Sequence, residues 1–411
     1  CACLVGSEMC IRDRIKSVLS EQAECAAHFA DRGKNMEHYL DNAATTKPCA
    51  EAAAAVMSCI SSHYGNPSSL HRKGLEAQHE VEYARNQVAG ALGCKAQEIV
   101  FTSGATESTN LALCGAAAAY GRKRKKIITS AVEHASVRET MAHLETLGFT
   151  VVSVPPAEDG LYHAEDFLKE VDKDTCMVSI MLVNNENGYR MPVEEVFRTV
   201  KRRDSDIITH CDAVQGFLKV SFKPRTLCAD LVSLSGHKVH ALKGAGALYI
   251  RQGVRLKPVL YGSRQEKGLR PGTEGVPVIA AFGAAAEKLV LTMDERYDAV
   301  SGLRSSLIEQ LKEMDGVIIR DLPSASPYVL NISLLGYRSE IVLHYLEQRE
   351  VYISSGSACS KGASSGVLEL FGAKPAEVDS ALRISFCSDN TEEDIAALVQ
   401  GLKDAQKDLM H

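Results

Sequence analysis

DIITHCDAVQ at 206–215 and LVSLSGHK at 231–238 each run from a continuous apolar, β-branched stretch into a cluster of polar residues. Strands that are apolar at successive positions belong to a sheet covered on both faces, which is the habit of parallel sheets. The same pattern recurs outward from this pair, in EIVFTS (98–103), KIITS (126–130), FTVVSVP (149–155), CMVSIMLVNN (176–185) and GALYI (246–250). Amphipathic segments at 135–147 and 192–203 are long enough to be crossover helices between such strands. The order predicts an α/β domain built on a mostly parallel, seven-stranded sheet.

Beyond it, residues 278–315 read as largely helical. YVLNISL (328–334), a helix over 339–349, VYISSG (351–356) and ALRISF (381–386) then predict a smaller α+β domain. The expected division assigns 46–290 to the large domain, and 36–45 with 291–411 to the small one. Residues 1–35 read as an extension outside the fold, because Met36 opens the part that fits the rest. The Ser- and Gly-rich run SSGSACSKGASSG (354–366) reads as a mobile loop.

At 411 residues the chain is long enough for two domains with a substantial core, and a 45% hydrophobic, 24% charged composition is that of a soluble globular protein. A formal charge of -6 argues against nucleic acid as a direct partner. The basic run RKRKK (122–126) reads as a solvated turn before a strand or, alternatively, a polyanion site. Thirteen cysteines in irregular spacing, with no C-x-x-C pair, point to reduced thiols in the cytoplasm, with no metal site and no disulfide framework. No apolar stretch is long enough to span a bilayer, so no membrane is expected. The first residues lack the order of a secretory signal.

The chemistry gathers at the strand ends, where open α/β sheets bind ligands. Ser103–Gly104–Ala105–Thr106 precedes the apolar helical run LALCGAAAA, either as a plain N-cap or as a seat for a phosphate on free backbone N–H groups. Asp212 ends an apolar strand and needs a cationic partner. That partner is either a lysine or arginine, or the ring nitrogen of a cofactor such as pyridoxal phosphate. Lys238, after LVSLSGH, is either a surface lysine or an amine nucleophile at a strand end. Cys359 sits in the Ser/Gly loop, as an inert loop cysteine or as an accessible nucleophile.

Taken together, LDNAATT (40–46), NPSSLHRKG (66–74), FTSGATESTNLAL (101–113), EHASV (133–137), NNENG (184–188), DAVQ (212–215), SLSGHK (233–238), KGAGALYI (243–250), RPGTE (270–274) and SSGSACS (354–360) resemble the NifS/IscS-like cysteine desulfurases. These are class V, fold-type I pyridoxal-phosphate enzymes, and the resemblance runs from about residue 37 to the C-terminus. It implies that Lys238 binds the cofactor as a Schiff base and that Asp212 pairs with its ring nitrogen. His134 would stack on the ring and serve in proton transfer, and Gln215 would bond the phenolic oxygen. Thr106, Ser235 and His237 would hold the phosphate, Ala105 would also contact the cofactor, and Thr273 would come from a neighbouring subunit of a homodimer. Asn185 would contact cofactor and substrate, and Asn185 with Arg383 would hold the carboxylate of L-cysteine.

Cys359 would take the sulfur as a persulfide and release L-alanine. It would then pass the sulfur to an acceptor protein, such as an iron–sulfur scaffold or a tRNA-thiolation partner. Departures from the family pattern occur at Ala241-Leu242, Gly275 and Cys387. The alternatives are a selenocysteine lyase, another class V aminotransferase, or a non-catalytic scaffold for sulfur assembly.

Overall fold

The computed structural model describes residues 37–355 and 366–409. The N-terminal extension and the loop segment that includes Cys359 lie outside the described residues. All seven predicted strand runs form one sheet: β2 (Ile99–Thr102), β3 (Lys126–Ser130), β4 (Thr150–Val154), β5 (Thr175–Met181), β6 (Ile208–Asp212), β7 (Leu231–Ser235) and β8 (Gly246–Ile250). Their spatial order is β2-β8-β7-β6-β5-β3-β4. β8 runs antiparallel to β2 and β7, and the remaining neighbours are parallel. β5, β6 and β7 are buried at every position, which is why their sequences show apolar runs and not alternation.

Helices fill the crossovers. In Val193–Arg203 the buried residues are Val193, Val196, Phe197 and Val200, the spacing of a single apolar stripe. Glu194 and Glu195 in its first turn, with Lys201, Arg202 and Arg203 in its last, complement the helix dipole. Phe197 is fully buried, and truncation to alanine there costs about 3–5 kcal/mol. Helix Val276–Leu291 lies against helices Ala50–Ser61 and Arg72–Leu92. At Gly283 the approach is so close that a Cβ would come within 2.6 Å of the Ala84 Cα, so the crossing requires glycine.

A second core lies C-terminal to this. β9 (Val317–Arg320), β10 (Val329–Leu334) and β12 (Ala381–Ser385) form an antiparallel sheet in the order β12-β10-β9, and β1 (His38–Tyr39) pairs in parallel with β11 (Val351–Tyr352). Leu330, Ile332, Leu382 and Ile384 pack there with Leu40 and with Leu307, Leu346 and Leu398 from helices Met293–Lys312, Ser339–Glu347 and Glu392–Asp408. The stretch predicted as helical over 278–315 is two helices, Val276–Leu291 and Met293–Lys312, bent by 76° at Thr292. Among the described residues no single helix is long and apolar enough to cross a membrane. Two residues of the basic run leading into β3 are ion-paired, Arg124 with Asp204 at 2.6 Å and Lys126 with Asp172 at 3.1 Å.

Candidate active site

The C-terminal ends of the parallel strands bring most of the predicted residues to one edge of the sheet. Asp212 is the last residue of β6, paired across the ladder with Met181 of β5 and Ser233 of β7. Its carboxylate is buried and accepts the Val214 N–H at 3.0 Å. Among the described residues it forms no ion pair with a lysine, arginine or histidine, and the positive charges acting on it are those of His134 and Lys238. Burial pushes its carboxyl upward, opposed by the charges of His134 and Lys238.

His134 caps the helix Ala135–Thr146. The Ser136 N–H donates to its Nδ1 at 3.1 Å, which leaves Nε2 as the protonated nitrogen of the neutral ring. Burial lowers its proton affinity, Asp212 opposes this, and Lys238 adds to it. The neighbouring Glu133 has no role in the sequence reading. Its Oε1 accepts from the Ser130 hydroxyl at 2.6 Å and from the Met181 N–H at 2.9 Å, tying the end of β3 to that of β5. Burial pushes this carboxyl up to about 8, so it is protonated at neutral pH.

Lys238 closes the short helical turn after β7. Its Nζ donates to the carbonyls of Ala43 at 2.6 Å and Ala44 at 2.5 Å. The Gln215 Nε2 donates to the same Ala43 carbonyl at 3.0 Å, and its Oε1 accepts from Lys219 at 2.9 Å. Lys219 is buried, and desolvation brings its ammonium down to about 7. The His237 Nδ1 lies 3.2 Å from the Thr45 hydroxyl, while Thr46 donates from both its N–H and its hydroxyl to the His237 carbonyl. Burial and the Lys238 charge bring His237 down to about 4, so it is neutral at pH 7. The segment 41–46 therefore straps across the site, a role that no periodicity in its sequence announces.

Arg383 on β12 is buried. Its Nη1 donates to the Asn185 carbonyl at 3.0 Å, and its Nη2 to Asp41 Oδ1 at 3.0 Å. Asn185 thus meets Arg383 through its backbone. The turn that positions it is shaped by Asn184, whose Oδ1 accepts from Glu186 N–H at 2.9 Å and Asn187 N–H at 3.2 Å.

Ala105 and Thr106 open the helix Ala105–Tyr120. A Cβ on Gly104 would meet nothing within 4 Å, whereas one on Gly246 would strike Gly104 Cα at 2.6 Å. β8 therefore presses the back of this loop while its front stays open. Ser235 is buried at the end of β7. Thr273 is exposed, in a loop tied to the first turn of the same helix by Arg270 and Glu107 at 3.0 Å. Cys387 is buried and its thiol is pushed up to about 11 by desolvation, with the Asp389 charge adding to this.

The Aminotransferase class-V profile matches residues 38–398, and the chain belongs to that family, whose members are pyridoxal-phosphate enzymes. A cysteine desulfurase of Nostoc sp. is 38% identical over 366 residues, covering 88% of this chain and 91% of the relative. A solved NifS-like protein superposes with a TM-score of 0.86 at 37% identity, covering 91% of this chain and all of the other. A structure described as SspA in complex with cysteine gives 0.76 at 31% identity, covering 87% of this chain and 100% of that one. The chain is an enzyme of the fold-type I class, and its function is the mobilisation of sulfur that the name cysteine desulfurase describes.

Proposed function

We propose that the chain converts L-cysteine to L-alanine with pyridoxal phosphate bound at Lys238, and that Cys359 takes the sulfur as a persulfide. The observation that carries the assignment is Asp212, a buried carboxylate that forms no ion pair with a lysine, arginine or histidine among the described residues. A buried carboxylate of this kind is costly unless a positive group meets it, and a protonated pyridine nitrogen is such a group. The open front of Gly104, beside the first-turn N–H groups of a 16-residue helix, supports a phosphate seat formed with Thr106, Ser235 and neutral His237. When bound, the cofactor supplies an electron sink for charge developing at the substrate Cα.

The chain's own residues supply the rest. Arg383 and Asn185 hold the α-carboxylate, for which a guanidinium fork is suited. Lys238 takes and returns the proton at Cα. His134 serves in proton transfer at the substrate thiol through Nε2, its Nδ1 being held by the Ser136 N–H. The Cys359 thiolate attacks the substrate sulfur, the S–S bond forms as the C–S bond breaks, and the electron pair left at Cβ takes up the proton that the Cys359 thiol gave up, leaving L-alanine and a persulfide. The persulfide then serves a protein acceptor.

The proposed homodimer, with Thr273 reaching its partner's site, is supported by exposed apolar side chains: Leu70 at 96%, Tyr261 at 87% and Tyr64 at 68% exposure. Residues near them in the chain, Pro67, Ser68 and Ser263, line one groove. The second core, which joins Leu40 to residues 300–402, supports a division near 290, although Val367 packs on the first core. The test is Asp212→Asn. It keeps the shape and removes the charge, and turnover of L-cysteine should fall by about 10²–10³-fold, as when one preorganised electrostatic partner is lost. Unchanged turnover would remove the assignment.

A further inference from the structure

Asp41 and Arg383 form an ion pair across the mouth of the site, and the two partners are unequally held. The Arg383 side chain is 3% exposed and sits on a strand, with its backbone N–H bonded to the Ser354 carbonyl at 2.6 Å. The Asp41 side chain is 20% exposed and belongs to the irregular strap after β1. Asp41 uses one oxygen only, Oδ1, on one guanidinium nitrogen. A free α-carboxylate can take the guanidinium in a two-point grip, which is the stronger geometry. We infer that Asp41 is the resting counter-ion of Arg383, occupies the place of the substrate's α-carboxylate, and is exchanged for it when an amino acid binds. This rests on the proposed role of Arg383 as the carboxylate holder.

Two further observations agree with an exchange. Burial raises the Asp41 carboxyl against the pull of Arg383 and Lys238, so the group gains hydration by moving outward. The same strap supplies the Ala43 and Ala44 carbonyls that meet the free Lys238 amine, so residues 41–44 border both groups that an incoming amino acid engages. Asp41 thereby sets the affinity for the substrate's carboxylate end and selects against ligands too weakly anionic to displace it.

Equilibrium binding to the cofactor-loaded full chain tests this, with L-alanine as the carboxylate-bearing probe and ethylamine as the amine without a carboxylate. Asp41→Asn should tighten L-alanine by about tenfold, the low end of measured charge-pair couplings, and leave ethylamine unchanged. Weaker L-alanine binding, or an equal change for both probes, overturns the exchange. Asp41→Glu, which keeps the charge, should bind L-alanine more weakly than Asp41→Asn. Equal tightening in both variants also overturns it. Arg383→Ala separates the premises: wild-type L-alanine affinity there removes the role of Arg383 itself. Lost affinity in Arg383→Ala with no change in Asp41→Asn removes only the exchange.

Discussion

The Lys238 amine lies 2.6 Å from the carbonyl oxygen of Ala43, a residue 195 positions earlier in the chain. Ala44 supplies a second carbonyl acceptor, and the strap that provides both also engages Gln215, His237 and Arg383. Lys238→Ala should lose the visible absorption of bound cofactor. It should also lose at least about 10²–10⁴ in turnover, the contribution of a positioned base. Absorption spectra of the purified variant check the first, and alanine release the second.

The buried pair Arg85–Glu266 is a stability element. Two guanidinium nitrogens meet the two carboxylate oxygens at 2.9 and 2.7 Å, and Glu266 Oε2 also accepts the Phe101 N–H at 3.0 Å. Arg85→Ala leaves that carboxylate buried and uncompensated, at a cost of about 3–5 kcal/mol. Chemical denaturation should show the loss, and Arg85→Leu combined with Glu266→Gln should recover part of it.

His210 is enclosed between the Ser179 hydroxyl at 2.8 Å and the Ser233 hydroxyl at 2.9 Å, and burial brings it down to about 3 from its ordinary 6.5. The folded chain keeps it neutral, while the unfolded chain takes up a proton below pH 6.5. Stability from this residue is therefore full above 6.5 and is lost as pH falls towards about 3, at about 1.4 kcal/mol per pH unit. Glu133, raised to about 8, acts in the opposite sense as pH rises from 4.5, so the raw profile mixes the two. The difference between wild type and His210→Gln at pH 7, 6 and 5 should isolate the slope, which the variant lacks.

The sheet was legible because burial on both faces writes itself as runs such as CMVSIM, and the strand-end residues because they follow those runs directly. Asp41, Ala43 and Ala44 were quoted within a motif yet given no role. Two of them act through backbone carbonyls, which any residue type offers, and the third acts on a residue 342 positions away. Glu133 and Lys219 escaped for a related reason: a charged residue in sequence reads as surface until packing shows that it is enclosed. β9 is only half-buried, and its run VIIR, though bounded by Asp315-Gly316 and Asp321, is four residues long and too short to stand out from its surroundings.

The most direct test of the account is the product made by the cofactor-loaded full-length chain from L-cysteine and a thiol reductant. L-alanine and sulfide should appear in equal amounts, and neither from Cys359→Ala. A ketoacid in place of alanine, or full activity in Cys359→Ala, would contradict it.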